Sequence, residues 1–403
     1  MNTQQPVTLL CLASYEKGAA FLREAKTQGA RVIFVTDEKL RDADWPWEAI
    51  DEVYYLPDFS NEDNVLHSIS YLARAEQIDR IVPLDEFDLY NAAMLREHLR
   101  LPGMGQSAVR YFRDKLAMRM KARDAGIRVP DFVPIVNYDD IRAFMDRCPR
   151  PWILKPRSEA SAIGIKKIHD PEVLWRTLDE LGDRQSHFLL EQFVPGDVYH
   201  VDSLVSDGSV IFAETHRYAN APFDVMHGGG IFASRTLDRE SDESATCRRL
   251  NKQLIQDFGM HHGAVHTEFI RGRDDGDFYF LETAARVGGA HIAEMVEAST
   301  GINLWAQWAR IEVTRARNEA YELPERNQDY AGILISLARQ EHPDLSAYQE
   351  EAIAWQMDKK HHAGLIVRAE TPQRVDVLLH EYMTRFYEDF HTAMPAPETS
   401  GDA

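Results

Sequence analysis

Residues 278–289 read Phe-Tyr-Phe-Leu-Glu-Thr-Ala-Ala-Arg-Val-Gly-Gly and are the stretch on which the fold prediction rests. The first four residues are large and apolar and favour a β-strand, and His266–Ile270 is a second run of this kind. Between them, Gly272-Arg-Asp-Asp-Gly276 favours a turn, so the sequence predicts a β-hairpin. The hairpin carries Glu268 on one strand and Glu282 on the other. Because side chains alternate along a strand, both carboxylates can face one cavity.

Apolar patterns predict further strands and helices on both sides of this hairpin. After Pro130 the sequence is rich in strands, which are predicted at Trp152–Lys155, Ile163–Ile168, Phe188–Gln192, His200–Val205 and Val210–Glu214. Beyond the hairpin, the apolar spacing of Ile292–Ala309 predicts a helix. A polar segment with Pro324 then predicts a joint, after which two strands and a helix follow.

The first hundred residues alternate between short apolar runs and helical segments. The predicted strands are Val7–Ala13, Val32–Val35, Val53–Leu56 and Ile81–Pro83. Helices of about ten residues separate them, which is typical of βαβ units and predicts an open parallel α/β layer. Gly103-Met-Gly-Gln-Ser-Ala108 fits the GxGxxA pattern of dinucleotide sites. It follows a helix and a proline rather than a strand, which argues against a nicotinamide site.

Composition restricts the class of function. The chain has 403 residues, enough for two or three domains. It carries 65 acidic and 45 basic residues, and the net charge of −20 disfavours sequence-independent binding to nucleic acid or to anionic membranes. Three cysteines (Cys11, Cys148 and Cys247) lie in no CxxC pattern, which excludes a disulfide scaffold and argues against a structural zinc site. We find no signal-peptide pattern and no apolar stretch of 18 residues, and therefore expect a cytoplasmic protein with no nucleic-acid or membrane partner.

Four motifs carry the groups that suggest chemistry. In chain order they are Asp114-Lys115 at a predicted helix start, Ile153-Leu-Lys155-Pro156 with the small-residue loop Ser158–Gly164, the strand and turn Leu189-Leu-Glu191-Gln-Phe-Val-Pro-Gly196-Asp197, and the hairpin carboxylates with Arg286 and Gly288-Gly289. Lysines neutralise phosphate oxygens, backbone N–H groups of a small-residue loop bind them, and carboxylates hold hard cations. Together the motifs provide what a magnesium–triphosphate site needs.

In this order the motifs resemble those of the ATP-grasp superfamily, from Tyr111 to about residue 310. The βαβ layer is similar to the domain that precedes the grasp fold in those enzymes. The resemblance implies an α/β fold class, with an N-terminal parallel α/β (pre-ATP-grasp) domain followed by a two-lobed α+β ATP-grasp fold. The expected segments are the N-terminal domain 1–110, the small lobe 111–195, the large lobe 196–325 with the metal hairpin, a C-terminal α+β extension 326–390 and a disordered tail 391–403.

The resemblance also implies a role for each residue at a matching position. The nucleotide would be bound by Lys115 and Lys155 at the phosphates, Ser158 and Ser161 in the phosphate flap, Glu191, Phe193 and Val194 at the adenine, and Asp197 at the ribose. The metal, Mg²⁺ or Mn²⁺, would be held by Glu268 and Glu282, and Arg286 would steady an acyl phosphate. The sequence departs from the family pattern at Ala284, where an asparagine ligand is usual, and in a flap that is poor in glycine.

Within this superfamily the chain is most similar to the L-amino-acid ligases, through the segment Glu282-Thr-Ala-Ala-Arg-Val-Gly-Gly289 and the appended C-terminal part. This implies an ATP-dependent enzyme that activates a carboxylate, expected to be that of an amino acid, and joins it to an amine. The residues expected to line the substrate pocket are Glu214, His227, Gly229, Arg286 and His291. Lys155 and Arg286 are the expected catalytic residues.

Two other functions stay open from the sequence. Tyr199-His200-Val-Asp202 is similar to the segment after the adenine strand of biotin carboxylase, although the chain has no carrier sequence with a biotinylation lysine. A catalytically degenerate ATP-binding sensor or scaffold is the non-enzymatic alternative, because Ala284 removes one metal ligand. The predicted partners are small-molecule substrates, and a homodimer is also left open.

Overall fold

A parallel sheet forms the N-terminal part of the computed structural model, which describes residues 6–160 and 163–393. Its strands are β1 (Thr8–Ala13), β2 (Arg31–Asp37), β3 (Glu52–Leu56) and β4 (Arg80–Pro83), in the order β3-β2-β1-β4. Helices follow three of these strands: α1 (Ala19–Thr27), α2 (Glu62–Leu72) and α3 (Leu89–Leu99). Every strand pair is parallel, so the predicted βαβ layer is confirmed.

Two short helices connect this layer to the rest of the chain, α4 (Gln106–Val109) and α5 (Lys115–Asp124). The Asp114 side chain accepts hydrogen bonds from the backbone N–H groups of Leu116 and Ala117 and so caps α5. The helix start predicted at Asp114-Lys115 is therefore confirmed. One turn of this helix places Lys115 and Arg119 on the same face.

A small antiparallel sheet follows. Its strands are β5 (Phe132–Pro134), β6 (Trp152–Pro156), β7 (Lys166–Ile168) and β8 (Phe188–Gln192), in the order β5-β8-β6-β7. Its helices are α6 (Tyr138–Arg147), which the sequence analysis did not identify, and α7 (Pro171–Leu181). The strand expected at Ile163–Ile168 begins only at Lys166.

The largest sheet is antiparallel and contains the predicted hairpin. Its strands are β9 (Gly196–Ser206), β10 (Ser209–Tyr218), β11 (Phe232–Thr236), β12 (Gly263–Gly272), β13 (Phe278–Ala284), β14 (Tyr330–Leu337), β15 (Ile353–Gln356) and β16 (His362–Ala369), in the order β13-β12-β9-β10-β11-β14-β16-β15. Its helices are α8 (Pro222–Gly228), α9 (Asp242–Phe258), α10 (Ile292–Thr300), α11 (Leu304–Ala316) and α12 (Pro372–Asp389). Strands from the expected large lobe and from the expected C-terminal extension share this sheet, because β14 pairs with β11.

Some local expectations differ from the structure. The single helix expected at Ile292–Ala309 is two helices, because the chain turns at Gly301, whose φ of +73° an L-residue adopts at a cost. Of the expected tail, residues 391–393 are described, and His391 forms a bridge with Ala338. Residues 394–403 lie outside the described part of the chain.

The N-terminal layer packs against the large sheet through α1 and α11. The rings of Phe21 and Trp308 meet edge to face with their centroids 5.3 Å apart, and both residues belong to one apolar cluster that includes parts of both sheets. This packing fixes the carboxyl ends of β1 and β4 opposite the hairpin β12–β13. Among the described residues, no helix is long and apolar enough to cross a membrane.

Candidate active site

The start of α5 lies against the end of β13. The ammonium group of Lys115 is 2.9 Å from a carboxylate oxygen of Glu282 and donates a hydrogen bond of 2.6 Å to the backbone carbonyl of Glu159. Burial alone would raise the pKa of Glu282, but Lys115, Lys155 and Arg119 lower that pKa to about 2. Glu282 is therefore ionised throughout the physiological pH range.

A second lysine lies at the end of β6, in contact with β8. The Lys155 ammonium is 2.5 Å from Glu191 Oε2, and Arg119 Nε donates to Glu191 Oε1 at 2.6 Å. Lys155, Arg119 and Glu191 are all buried. Burial, together with the positive charges of Arg119 and Lys115, lowers the pKa of Lys155 to about 8, although Glu191 opposes this change.

We call Lys115, Arg119, Lys155, Glu191 and Glu282 the phosphate cluster. Glu191 was expected to accept a hydrogen bond at the adenine side, but in this structure its two oxygens contact the two buried cations. Burial would raise the pKa of Glu191, and Arg119 and Lys155 hold it below its ordinary value. The sequence analysis missed Arg119, although its position four residues after Lys115 on a helix is a usable signal.

The other residues expected at the nucleotide lie around the turn from β8 to β9. The Lys167 ammonium is 3.7 Å from the centre of the Phe193 ring, and Val194 packs against an apolar cluster that contains Val198. Asp197, on β9, accepts a hydrogen bond of 2.8 Å from Arg217. Gly196 precedes it, and a Cβ atom there would lie 2.0 Å from the carbonyl oxygen of Arg271, so close approach of two backbones requires this glycine.

The flap between β6 and β7 is only partly described. Ser158 lies close to Tyr90, and Arg157 next to it donates to Asp114 at 3.0 Å. Ser161 lies outside the described residues. The described base of the flap is thus tied to the first turn of α5, near Lys115.

The two predicted metal carboxylates face each other across the hairpin. Glu268 pairs directly with Glu282 in the register of β12 and β13, which places both side chains on one face of the sheet. The Glu268 carboxylate accepts a hydrogen bond of 2.8 Å from the Tyr218 hydroxyl and lies 3.4 Å from His266 Nε2. Like charges directly opposite on a sheet are unfavourable, and a bound cation relieves this repulsion.

Beyond β13 lies a second charged group that spans two sheets. The Arg286 guanidinium forms an ion pair with Glu86, and Arg113 Nη1 donates to the same carboxylate at 3.2 Å. Asp85, beside Glu86, forms an ion pair with Lys17. Burial would lower the pKa of Arg286, but Glu86 and Asp85 raise it. We call Lys17, Asp85, Glu86, Arg113 and Arg286 the acceptor cluster.

The sequence analysis missed four members of the acceptor cluster and identified Arg286 alone. Glu86 and Asp85 come just after β4, and Lys17 comes after β1, so they lie at the carboxyl edge of the parallel sheet. Ligands of open α/β sheets commonly bind at this edge, between strands whose connections run in opposite directions. These four residues could not be assigned to one site from the sequence, because the order of the strands in the sheet was not known.

The remaining residues of the expected substrate pocket have other contacts. Glu214 is 1% exposed and accepts a hydrogen bond of 2.9 Å from Arg239, which also donates to the backbone carbonyls of Gln328 and Asp329. Its carboxylate is therefore occupied by a buried arginine, in contrast to the expected position beside an incoming amine. The ring of His291 lies 4.6 Å from that of Trp355, on β15.

The glycine run that follows His227 was expected to be a loop. The structure instead ends α8 at Gly228, and Gly229 follows with a φ of +66°. A Cβ atom at Gly229 would lie 2.6 Å from the side chain of Ala393, so this residue also marks a close approach. The side chain of His227 is outside the described part of the structure.

Comparison with protein families agrees with this geometry. Residues 148–294 match the model of an ATP-grasp domain, and residues 22–103 match that of an ATP-grasp N-terminal domain. The chain belongs to the ATP-grasp superfamily. The first match covers β6, β7 and β8 of the small sheet and the hairpin β12–β13, and the second covers β2, β3 and β4 of the parallel sheet. The ATP-grasp architecture predicted from the sequence is therefore confirmed.

Individual ATP-grasp proteins resemble the chain over most of its length. The L-arginine-specific L-amino acid ligase of Bacillus subtilis is 28% identical over 274 residues, which are 66% of this chain and 66% of that protein. The alanine–anticapsin ligase of Bacillus subtilis is 23% identical over 286 residues, 64% of this chain and 59% of that protein. The chain thus matches less than two thirds of the length of these relatives. The crystal structure of an L-amino acid ligase from Bacillus licheniformis has the same fold, with a TM-score of 0.77 and 18% identity over 98% of this chain and 100% of that chain.

Proposed function

We propose that this protein is an ATP-dependent ligase that joins a carboxylate, that of an amino acid, to an amine and releases ADP and phosphate. The observation that carries the proposal is the phosphate cluster, in which three cations converge beside the opposed carboxylates Glu268 and Glu282. The matched relatives are amino acid ligases, which supports the ligation of a carboxylic acid to an amine over other reactions of this fold.

The nucleotide would bind with its phosphates at Lys115 and Lys155. Both ammonium groups are buried and already held by carboxylates, so little reorganisation is needed when phosphate oxygens arrive. Glu191 acts as a positioning residue, because it fixes Lys155 and Arg119 through its two oxygens. The backbone of Phe193 and Val194 and the carboxylate of Asp197 would contact the adenosine.

Magnesium fits the donor set of the hairpin. Glu268 and Glu282 offer oxygen atoms from directly opposed positions, and hard oxygen ligands are those that Mg²⁺ prefers. Ala284 offers no ligand atom, so water and phosphate oxygens would complete the coordination, which Mg²⁺ accepts readily. The bound ion would supply charge neutralisation for the triphosphate.

In the reaction, an oxygen of the substrate carboxylate attacks the γ-phosphorus of ATP, and the bond to ADP breaks. The amine then attacks the acyl carbon, the bond to phosphate breaks, and a proton is released with formation of the amide. Arg286 would hold the phosphate oxygens in both steps, since a planar guanidinium binds two oxygens at once. Glu86, at the edge of the N-terminal layer, orients that guanidinium, and Arg113 holds the same carboxylate.

Phosphate release from ATP in the presence of pooled L-amino acids tests this function. We expect release that requires both ATP and an amino acid and is lost in chelator, together with a new amide product detected by mass spectrometry. The exposed Lys252→Ala variant is the control, because this lysine lies on α9 and belongs to neither the phosphate cluster nor the acceptor cluster.

The same assay separates the alternatives. Release that depends on bicarbonate instead of an amino acid would favour the biotin-carboxylase-like function. Binding of ATP without turnover, across all amino acids tested with Mg²⁺ present, would favour a sensor or scaffold. Either result would contradict the proposed ligase.

A further inference from the structure

Three adjacent strands of the large sheet place imidazole and carboxylate groups on one buried face. In the register, His200 on β9 lies opposite His216 on β10, and Asp202 on β9 lies opposite His266 on β12. We call these four residues the histidine cluster. All four are buried, and three of them are completely inaccessible.

The ligand atoms of the cluster converge on Asp202. His200 Nδ1 lies 2.7 Å from Asp202 Oδ2, and His266 Nδ1 lies 2.9 Å from Asp202 Oδ1. One ligand atom from each of these three residues lies within 4.8 Å of the others. Imidazole nitrogens and a carboxylate oxygen form a ligand set typical of zinc.

The outer nitrogen of each of these imidazoles has a partner that fixes the ring. His200 Nε2 lies 2.7 Å from the Ser234 hydroxyl, and His266 Nε2 lies 3.4 Å from the Glu268 carboxylate. Histidines that bind a metal usually make such a second contact, which sets the tautomer and the orientation of the ring. Here both rings are already held with Nδ1 toward the common centre.

His216 supplies an independent observation. Within the described residues, neither of its ring nitrogens has a hydrogen-bond partner, although the side chain is completely buried. Its Nε2 is 3.7 Å from Asp202 Oδ2, and its ring stacks on that of His200 with centroids 4.7 Å apart. A buried polar atom without a partner is unfavourable, so His216 is an unsatisfied polar group directly beside the three convergent residues.

The chain backbone closes over this group at Gly288. A Cβ atom there would lie 2.8 Å from Asp202 Oδ1 and 3.0 Å from His266 Nδ1. A side chain at this position would therefore occupy the approach to both ligands. The histidine cluster thus gives a steric reason for a glycine at position 288, which the sequence analysis noted beside Arg286.

We propose that His200, Asp202 and His266 bind one divalent transition-metal ion, of which zinc fits best, at a site next to the magnesium carboxylates. Tetrahedral zinc with bonds of about 2.0–2.1 Å sets its ligand atoms about 3.3 Å apart. The His200 and His266 nitrogens lie 2.7 and 2.9 Å from the Asp202 oxygens, so these two contacts would lengthen when the ion binds between them. Imidazole ligands select zinc over magnesium. Binding releases the protons shared between the imidazoles and Asp202.

The ion would join β9 and β12 and would hold His266 beside Glu268. The cysteine spacing argued against a structural zinc site. The ligand set proposed here uses no cysteine, and its residues lie as much as 66 positions apart, from His200 to His266. The sheet register brings them together. The proposed ligase function is not needed for this site, because zinc binding is measured without ATP or amino acid.

Metal analysis of tag-free protein tests the proposal. After stripping with chelator, the wild-type protein is incubated with Zn²⁺ in excess Mg²⁺, desalted and measured by mass spectrometry of metals. We expect one zinc per chain. Replacement by Co²⁺ should give the strong visible absorption of a tetrahedral site. Substoichiometric zinc in the wild-type protein, or only the weak absorption of octahedral Co²⁺, would overturn the proposal without any variant.

Variants then assign the ligands. His200→Ala and the outer-partner variant Ser234→Ala should each weaken Zn²⁺ binding, the latter by about 10–100-fold. The control His261→Ala changes an exposed histidine outside the cluster, and Glu282→Gln changes the magnesium site; both should bind zinc as the wild type does. Equal zinc affinity in Ser234→Ala and the wild type, or loss of zinc in Glu282→Gln, would place the ion elsewhere.

Discussion

The phosphate cluster and the acceptor cluster contain the same charges but differ in how the chain builds them. Each joins three cations to two carboxylates. The phosphate cluster comes from α5, β6, β8 and β13, within the part of the chain that follows the N-terminal layer. The acceptor cluster joins residues after β1 and β4 to Arg286, 200 positions beyond Glu86. The proposed nucleotide site is therefore built within the part of the chain that follows the N-terminal layer, whereas the proposed acceptor site depends on how two sheets pack together.

The largest effect is expected from loss of a charge in the phosphate cluster. Lys155→Ala should lower the rate of phosphate release by about 10²–10³-fold, since a preorganised charge at the transferring phosphoryl group is removed. Steady-state kinetics with Lys252→Ala as the control measure this effect. A wild-type rate in Lys155→Ala would show that this lysine does not contact the phosphates.

Removal of one metal carboxylate should separate turnover from nucleotide binding. Glu282→Gln keeps the size of the side chain but loses a charged ligand and the partner of Lys115. We expect turnover to fall by about 10²-fold, with a smaller change in ATP affinity measured by calorimetry. Weaker ATP binding with wild-type turnover at saturating ATP would mean that Glu282 acts in ground-state binding only.

The acceptor cluster should be sensitive to the geometry of its guanidinium. Arg286→Lys keeps the charge but cannot bind two oxygens in one plane, and loss of one hydrogen bond to a charged group costs about 1.5–3 kcal/mol. Turnover should fall by about 10–100-fold. Glu86→Gln should show a smaller loss of the same kind, because it orients Arg286. If Arg286→Lys retains full activity, charge alone is sufficient there.

The smallest expected effect is a pH dependence that only the phosphate cluster should show. Lys155, with a pKa of about 8, is charged below that pH and becomes neutral as the pH rises. The kcat/KM for ATP should therefore decline as pH rises through about 8. In Lys155→Arg, whose side chain stays charged, the decline should disappear or move to higher pH. An unchanged profile would assign the decline to another group.

Prediction from sequence succeeded where a pattern is local. The hairpin β12–β13, the βαβ layer and the start of α5 all follow from short-range periodicity, turn residues and a capping side chain. It failed at Ile292–Ala309, where apolar spacing continues across Gly301 and hides the break. The prediction that Glu214 lies in the substrate pocket did not include its ion pair with Arg239, because the two residues meet only in the folded sheet.

The sequence by itself determined the ATP-grasp architecture, because strand, turn and helix-cap signals act over a few residues. It also pointed to four of the five residues of the phosphate cluster as site candidates, because the motifs that contain them occur in a fixed order. Only the tertiary structure decided the acceptor cluster and the histidine cluster. Their members lie on strands far apart in the chain, and which of them meet depends on strand order, on register and on the packing of α1 against α11. Electrostatic contacts act over a few ångströms in space, so spacing along the chain does not reveal them.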